Sequence, residues 1–370
     1  MRPVHRSSAR LAALVATAVV GLTALARPAS AQVSVGGLAY AQYYYQFASD
    51  SLTADSSIQH VNNFDITRAY LNLTGRFAGG ISARITADIF TNAGIGGSRG
   101  YRLKYAFVAW TPEHSPLTYK IGQIHTPWID WEEALWDFRM QGPVAMDRNG
   151  YMSSSDFGLG VDGKFNADQL NFQVGIYNGE TYNGALADQR KDVMARASYR
   201  LLATNDGSRV GGLRLSAYGQ YGAPTSGGKR QRFIGMVSYR SMDVTLAAEF
   251  AVTKDSTTGG AGTTGGVGNA AAVAERSGRV ISAFGVFHIP QTRVSFIGRV
   301  DLTDPNTASA SAGDKTTRVI GGVAYQLAPN LRLLADVDAL SFESGFVPTA
   351  GNYATYVNRT TAYMQAMFTF

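Results

Sequence analysis

One pattern repeats through most of the chain: short segments in which apolar and polar side chains alternate, with nearly all of the charge on the polar parity. In RAYLNLTGRFAGGISARITADIF, residues 68–90, Leu71, Leu73 and Phe77 share one parity while Arg68, Asn72, Thr74 and Arg76 share the other. Beyond Gly79 and Gly80, the residues Ile81, Ala83, Ile85, Ala87 and Ile89 alternate with Ser82, Arg84, Thr86 and Asp88. A side-chain period of two is that of a β-strand, and Ala78-Gly79-Gly80 joins two strands as a tight hairpin.

The same reading predicts sixteen strands, near 33–47, 64–77, 80–90, 101–110, 117–124, 156–165, 169–178, 190–202, 210–221, 230–240, 243–253, 279–289, 292–302, 316–327, 331–342 and 358–370. Each is close to the ~9 to 11 residues that a tilted strand needs to cross a bilayer. Connections after even-numbered strands are short, such as AGG, NAD, SM and APN, whereas most of those after odd strands are long, including 48–63, 125–155, 254–278 and 343–357. Short turns at one end and long loops at the other are the plan of an outer-membrane barrel. The expected fold class is therefore all-β: one transmembrane antiparallel β-barrel domain over residues 32–370, of about 16 strands, with short periplasmic turns and long extracellular loops.

Charge placement favours lipid on the outside. With the apolar parity outward, seventeen Lys or Arg and seven Asp or Glu within the strands, Arg293 among them, point the other way. A basic residue on the lipid face at mid-bilayer costs ~2 to 4 kcal/mol, so lipid would enforce this segregation. Strands 1 and 12 are apolar or small on both parities, and neither face is assignable there. Tyr43, Phe77, Tyr101, Tyr119, Tyr199, Tyr221 and Tyr325 stand near strand ends, where barrels carry aromatic girdles. At the chain end, Ala362, Met364, Ala366, Phe368 and Phe370 alternate with Tyr363, Gln365, Met367 and Thr369. A closed barrel has no free edge, so its last strand must pair with its first. A secreted soluble β-protein shows the same alternation with inside and outside exchanged, and stays open as an alternative.

Residues 1–31 read as a cleaved signal peptide: Arg2, Arg6 and Arg10 precede LAALVATAVVGLTALA, and Ala29-Ser30-Ala31 has the small-x-small cleavage form. The mature chain would start at Gln32. Cleavage removes four arginines and no acid, so the formal charge falls from +6 to +2 and gives no reason to look for nucleic acid. Absence of cysteine rules out disulfides and thiolate metal sites. The mature histidines His60, His114, His125 and His288 stand far apart, without a metal, triad or phosphate-cradle motif, so neither an enzyme nor a cofactor is expected.

GGLAYAQYYYQF at the mature start, RAYLNLTGRFAGGISARITADI, YKIGQIHTPW, VDGKFNADQLNFQVGIYNGE and the terminal MFTF together span most of the mature chain. With them the sequence resembles bacterial outer-membrane porins and, more narrowly, the phosphate-selective porin O and P family. The resemblance implies a sixteen-stranded barrel in outer-membrane lipid, commonly a homotrimer, conducting small hydrophilic solutes passively. It also implies that the C-terminal strand ending in Phe370 is read by the barrel-assembly machinery. The anion-binding lysines and arginines of the family find no residue-by-residue match here.

An excess of inward basic charge focused in a narrow passage raises local anion concentration, so an anion-preferring pore is expected, with phosphate-like solutes among its candidates. The expected pore-lining basic residues are Arg68, Arg84, Arg102, Lys104, Lys120, Arg214 and Arg299. Within the loop at 125–155, Asp130 followed by Glu133 resembles a capping box, and Trp131, Leu135 and Phe138 have helical spacing. A short amphipathic helix is expected there. By the porin resemblance this loop would fold into the barrel as a constriction, with Asp130, Glu132, Glu133 and Asp137, beside Arg139, facing the basic wall. A plain surface loop, and a barrel with a plugged lumen and an adhesive role, are the competing readings.

Overall fold

The alternation closes into a barrel of sixteen antiparallel strands in a computed structural model that describes residues 32–49, 60–92, 98–184, 188–224, 228–256, 275–307, 314–343 and 358–370. The expected signal peptide, and much of the connections at 48–63, 254–278 and 343–357, lie outside the described residues. The strands are β1 (Gln32–Ser49), β2 (Asn62–Phe77), β3 (Ile81–Asn92), β4 (Ser98–Trp110), β5 (Leu117–His125), β6 (Ser155–Phe165), β7 (Leu170–Tyr177) and β8 (Asp192–Leu202). They continue as β9 (Gly212–Gly222), β10 (Lys229–Arg240), β11 (Val244–Ser256), β12 (Arg276–His288), β13 (Val294–Asp304), β14 (Thr316–Ala328), β15 (Leu331–Phe342) and β16 (Arg359–Thr369). Every expected strand is present. Arg293, counted in a strand from the sequence, sits instead in the turn before β13. Each strand pairs with its chain neighbours, and β1 pairs with β16 from Leu38 opposite Thr369 to Ser49 opposite Arg359.

The turn between β2 and β3 shows why glycine is needed there. Gly79 and Gly80 have φ of 74° and 76°, in the left-handed region that a Cβ disfavours.

Ile121, Leu159, Ile176, Leu215, Phe233, Leu246 and Val319 are exposed on the outer face. Phe77, Trp110, Tyr119, Phe165, Tyr199, Phe296 and Tyr325 project outward near the short-turn end, and Phe64, Tyr101 and Tyr221 near the other. Such rings belong at headgroup level.

Inside, the barrel is not uniformly polar and wet. The connection 126–154 runs through the interior with two short helices, α1 (Ile129–Leu135) and α2 (Ala145–Arg148). Trp128, Trp131, Leu135, Trp136, Phe138 and Met146 of this loop are fully buried, in one cluster with inward Val280, Phe284, Val286, Ile297 and Leu334 of the wall. This explains β12, whose two faces look alike in the sequence: Ile281 and Phe287 are exposed outside while Val280, Phe284 and Val286 are buried against the loop. Removing that surface from water stabilises the docked loop by ~25 cal/mol per Å².

The expected capping box does not form. Trp128 occupies the N-cap of α1 without a side-chain cap bond, Asp130 lies inside the first turn, and Phe138 falls beyond the helix end. Asp130 is drawn away from capping by Arg209, whose Nη1 lies 2.6 Å from its Oδ2.

A β-bulge alters β4. Thr86 pairs with Tyr105 but Ala87 with Leu103, so Lys104 is the extra residue. Lys104 and Tyr105, adjacent in sequence, are consequently both buried inside.

Candidate functional site

Two sets of contacts organise the interior. In one, β2, β3 and β4 present Arg68, Arg84, Arg102 and Lys104 together with Tyr70, Phe90 and Tyr105. The 126–154 loop is moored to other strands, from β11 round to β16. Trp128 Nε1 donates to Glu249 Oε2 on β11 (3.1 Å), Arg299 of β13 donates to the Pro143 carbonyl (2.9 Å), and Gln365 of β16 donates to the Met140 carbonyl (2.8 Å). Arg148 of α2 reaches Asp338 on β15 at 3.2 Å.

The four cations of the first set form no ion pair among the described residues; rings hold them instead. Arg84 lies 4.7 Å from the Tyr105 centroid and donates to Thr86 Oγ1 and Asn72 Oδ1 at 2.9 and 3.1 Å. Its Nη1 is 3.2 Å from His125 Nε2, and His125 stacks on Tyr105 at 4.1 Å. Arg68 lies over the Tyr70 ring at 4.9 Å and donates to its hydroxyl. Lys104 has the rings of Tyr70, Tyr105 and Tyr182 within 5.2 to 5.8 Å. Arg102 lies 4.7 Å from the centroid of Tyr182 and donates to its hydroxyl at 3.1 Å.

Solved structures of this architecture include an anion-selective porin from Comamonas acidovorans, at a TM-score of 0.62 and 14% identity over 92% of this chain and 100% of that one. OmpF of Salmonella typhi, in complex with daunomycin, reaches 0.63 and 13% over 91% and 97%. OmpT of Vibrio cholerae reaches 0.57 and 11% over 93% and 99%. The fold is the porin barrel. No protein-family model and no curated protein matches the chain.

Within this porin barrel the remaining basic residues expected to line a pore are covered or paired. Arg214 is fully buried at the short-turn end, donating to the Gly211 carbonyl (3.0 Å) and reaching Asp168 at 3.3 Å. Arg299 is held by Asp301 at 2.8 Å and lies 5.5 Å from the Trp136 centroid, behind the loop. Lys120 is ion-paired with Asp162 on the neighbouring strand.

The loop acids do not face the basic wall as a group. Glu133 pairs with Arg139 at 2.6 Å. Asp137 turns to Arg240 on β10 at 3.5 Å. Glu132 points the opposite way, because it follows Trp128 by one helical turn and shares the face directed at Glu249. Among the described residues neither Glu132 oxygen has a hydrogen-bond partner. Burial, then the Glu249 charge, pushes the Glu132 carboxyl well above its ordinary range. Burial also acts to raise the Asp130 carboxyl, but Arg209 holds it far below the usual value.

Three groups of this region escape the alternation. Tyr105 and Phe107 turn inward because of the bulge. A phase shift is visible in YRLKYAFVAW, where Tyr101 and Leu103 are outward on one parity and Val108 and Trp110 on the other. Tyr182 comes from the connection between β7 and β8 and carries no local signal at all. Among the described residues no cluster of three or more His, Asp or Glu has the arrangement of a metal site.

Proposed function

We propose that the chain is an outer-membrane porin giving passive, anion-preferring diffusion of small hydrophilic solutes. The observation that carries the reading is the asymmetry of the interior: among the described residues Arg68, Arg84, Arg102 and Lys104 form no ion pair, whereas Lys120, Arg214 and Arg299 are neutralised. A passage pressed between that wall and the loop has a positive lining, which enriches anions and speeds their entry. The loop at 125–155 acts as its constriction. Export through the cleaved signal peptide, assembly through the C-terminal strand, a homotrimeric state and phosphate-like solutes belong to the same reading. The anion-selective neighbour and the trimer form described for OmpT of Vibrio cholerae are in keeping with it. No catalytic role is assigned: His125 and Asp130, 3.8 Å apart, have no nucleophile beside them in the contacts of this site.

The zero-current potential across a planar bilayer under a potassium chloride gradient tests this. Anion preference is expected, reduced or reversed by Arg84→Glu and by Lys104→Glu; cation preference in the unmodified protein, or no shift in either variant, rejects the basic wall. The apolar docking of the loop favours a second reading, a plugged barrel with an adhesive role, and absence of any conductance from folded protein would select it.

A further inference from the structure

Resting on the anion-pore reading, we infer that the passage binds aryl carboxylates, with the carboxylate on Arg102 and Lys104, and that Tyr182 is a displaceable stand-in for that solute. Tyr182 brings to this pair of cations both features of such a ligand. Its ring lies over Arg102 at 4.7 Å and within 5.4 Å of Lys104, while its hydroxyl oxygen accepts from Arg102 Nη2 at 3.1 Å. A planar ring bearing an acceptor oxygen is what the two cations read together. A small inorganic anion would use only their charge.

Donors remain for a better acceptor than a phenol. Among the described residues Arg102 Nε is buried without a hydrogen-bond partner, and the Lys104 ammonium makes no ion pair, the hydrogen bonds of Lys104 being those its carbonyl accepts from Gln123 and Ser155. Buried donors left without acceptors are costly, and a carboxylate supplies two charge-assisted acceptors where the phenol supplies one neutral oxygen. Aromatic surface for the solute is present as well: Phe90 lies 5.6 Å from Arg102, and Tyr70 and Tyr105 lie within 6 Å of Lys104. Asp88, in register with Arg102 on β3, is buried with Oδ1 unpaired and forms no ion pair with it. Its charge opposes anions at this point but leaves the four cations in excess. Tyr182 is carried on a connection rather than a strand, so it can leave without breaking the ladder.

The test uses the mature barrel, folded in detergent and reconstituted in planar bilayers, with benzoate, acetate and cyclohexanecarboxylate titrated against the chloride current. Benzoate is expected to halve the current at a concentration about tenfold lower than either control, the ratio a stacking and cation–π contribution of this kind supports. Tyr182→Ala, which removes the competitor, lowers the half-blocking benzoate concentration about tenfold again, and Tyr182→Phe falls between. Lys104→Met raises it. Equal potency of benzoate and cyclohexanecarboxylate on the unmodified channel overturns the inference, whether or not the variants fold. So does an unchanged or weaker benzoate block in Tyr182→Ala. The zero-current potential in potassium chloride alone separates the two levels: cation preference overturns the anion-pore reading, while anion preference without benzoate selectivity overturns only the aryl-carboxylate site.

Discussion

Gly37 and Phe370 exchange both backbone hydrogen bonds across the barrel seam, Gly37 N to Phe370 O at 2.9 Å and Phe370 N to Gly37 O at 3.1 Å. The phenyl ring of Phe370 lies over Gly37, in space that a side chain at that position would need. Gly37→Val is therefore expected to destabilise the seam by ~1 to 3 kcal/mol through overpacking. The measurement is the temperature at which the unheated, fast-migrating form is lost in detergent gels. An unchanged temperature would mean that the ring moves aside freely.

Trp136 anchors the inserted loop. Its ring meets Phe284 edge-on at 5.2 Å and takes Arg299 on its face. Trp136→Ala should cost the docked loop ~3 to 5 kcal/mol, as for other large-to-small changes in a packed core. Single-channel recordings should show higher conductance and more open-channel noise, with earlier cleavage in the 126–154 segment by added protease.

Charge changes on the two sides of the loop should have opposite readouts. Arg299→Met strands Asp301 in a buried place, at a cost of ~3 to 5 kcal/mol in stability, and leaves ion selectivity unchanged. Arg68→Met, with no carboxylate to strand, should lower anion preference and leave stability nearly untouched. Selectivity loss in Arg299→Met would show that the guanidinium reaches the ion path.

Loop docking should weaken toward both extremes of pH. Glu132 titrates above its ordinary value of 4.5 because burial and Glu249 disfavour its charge, with Arg299 only partly offsetting them. The docked loop thus prefers protonated Glu132. That contribution is full below the ordinary value and lost as pH rises through the elevated one. Asp130 titrates below its ordinary value of 3.8, so its pairing with Arg209 is present above that value and lost as pH falls. Protease sensitivity of the loop against pH should show both limbs, with Glu132→Gln flattening the alkaline one and Asp130→Asn the acid one.

The strands were readable because a ladder with two unlike faces imposes a period of two, and a charge on the wrong parity is expensive. The inward course of Arg68, Arg84 and Arg102 follows from that alone. What each inward charge meets was not readable, because the partners are far away in sequence: Arg214 finds Asp168, Arg240 finds Asp206 and Asp137, and Arg318 finds Asp338. Strands apolar on both parities, such as β12, signalled a covered interior face, a meaning that appears only once the loop is seen to lie against it. The direction of Glu132 depended on which face of α1 docks, and helical spacing leaves that open.

The extra residue in β4 sets the basic wall apart from the barrel that carries it. Deleting Lys104 alone would bring Tyr105 and Leu103 into ordinary register with Thr86 and Ala87, withdraw one ammonium group, and leave the outward-facing side chains where they are. Gain or loss of a single codon is then enough to retune what the passage admits, at little expense to assembly, and related barrels that differ in length at this point should differ first in solute preference.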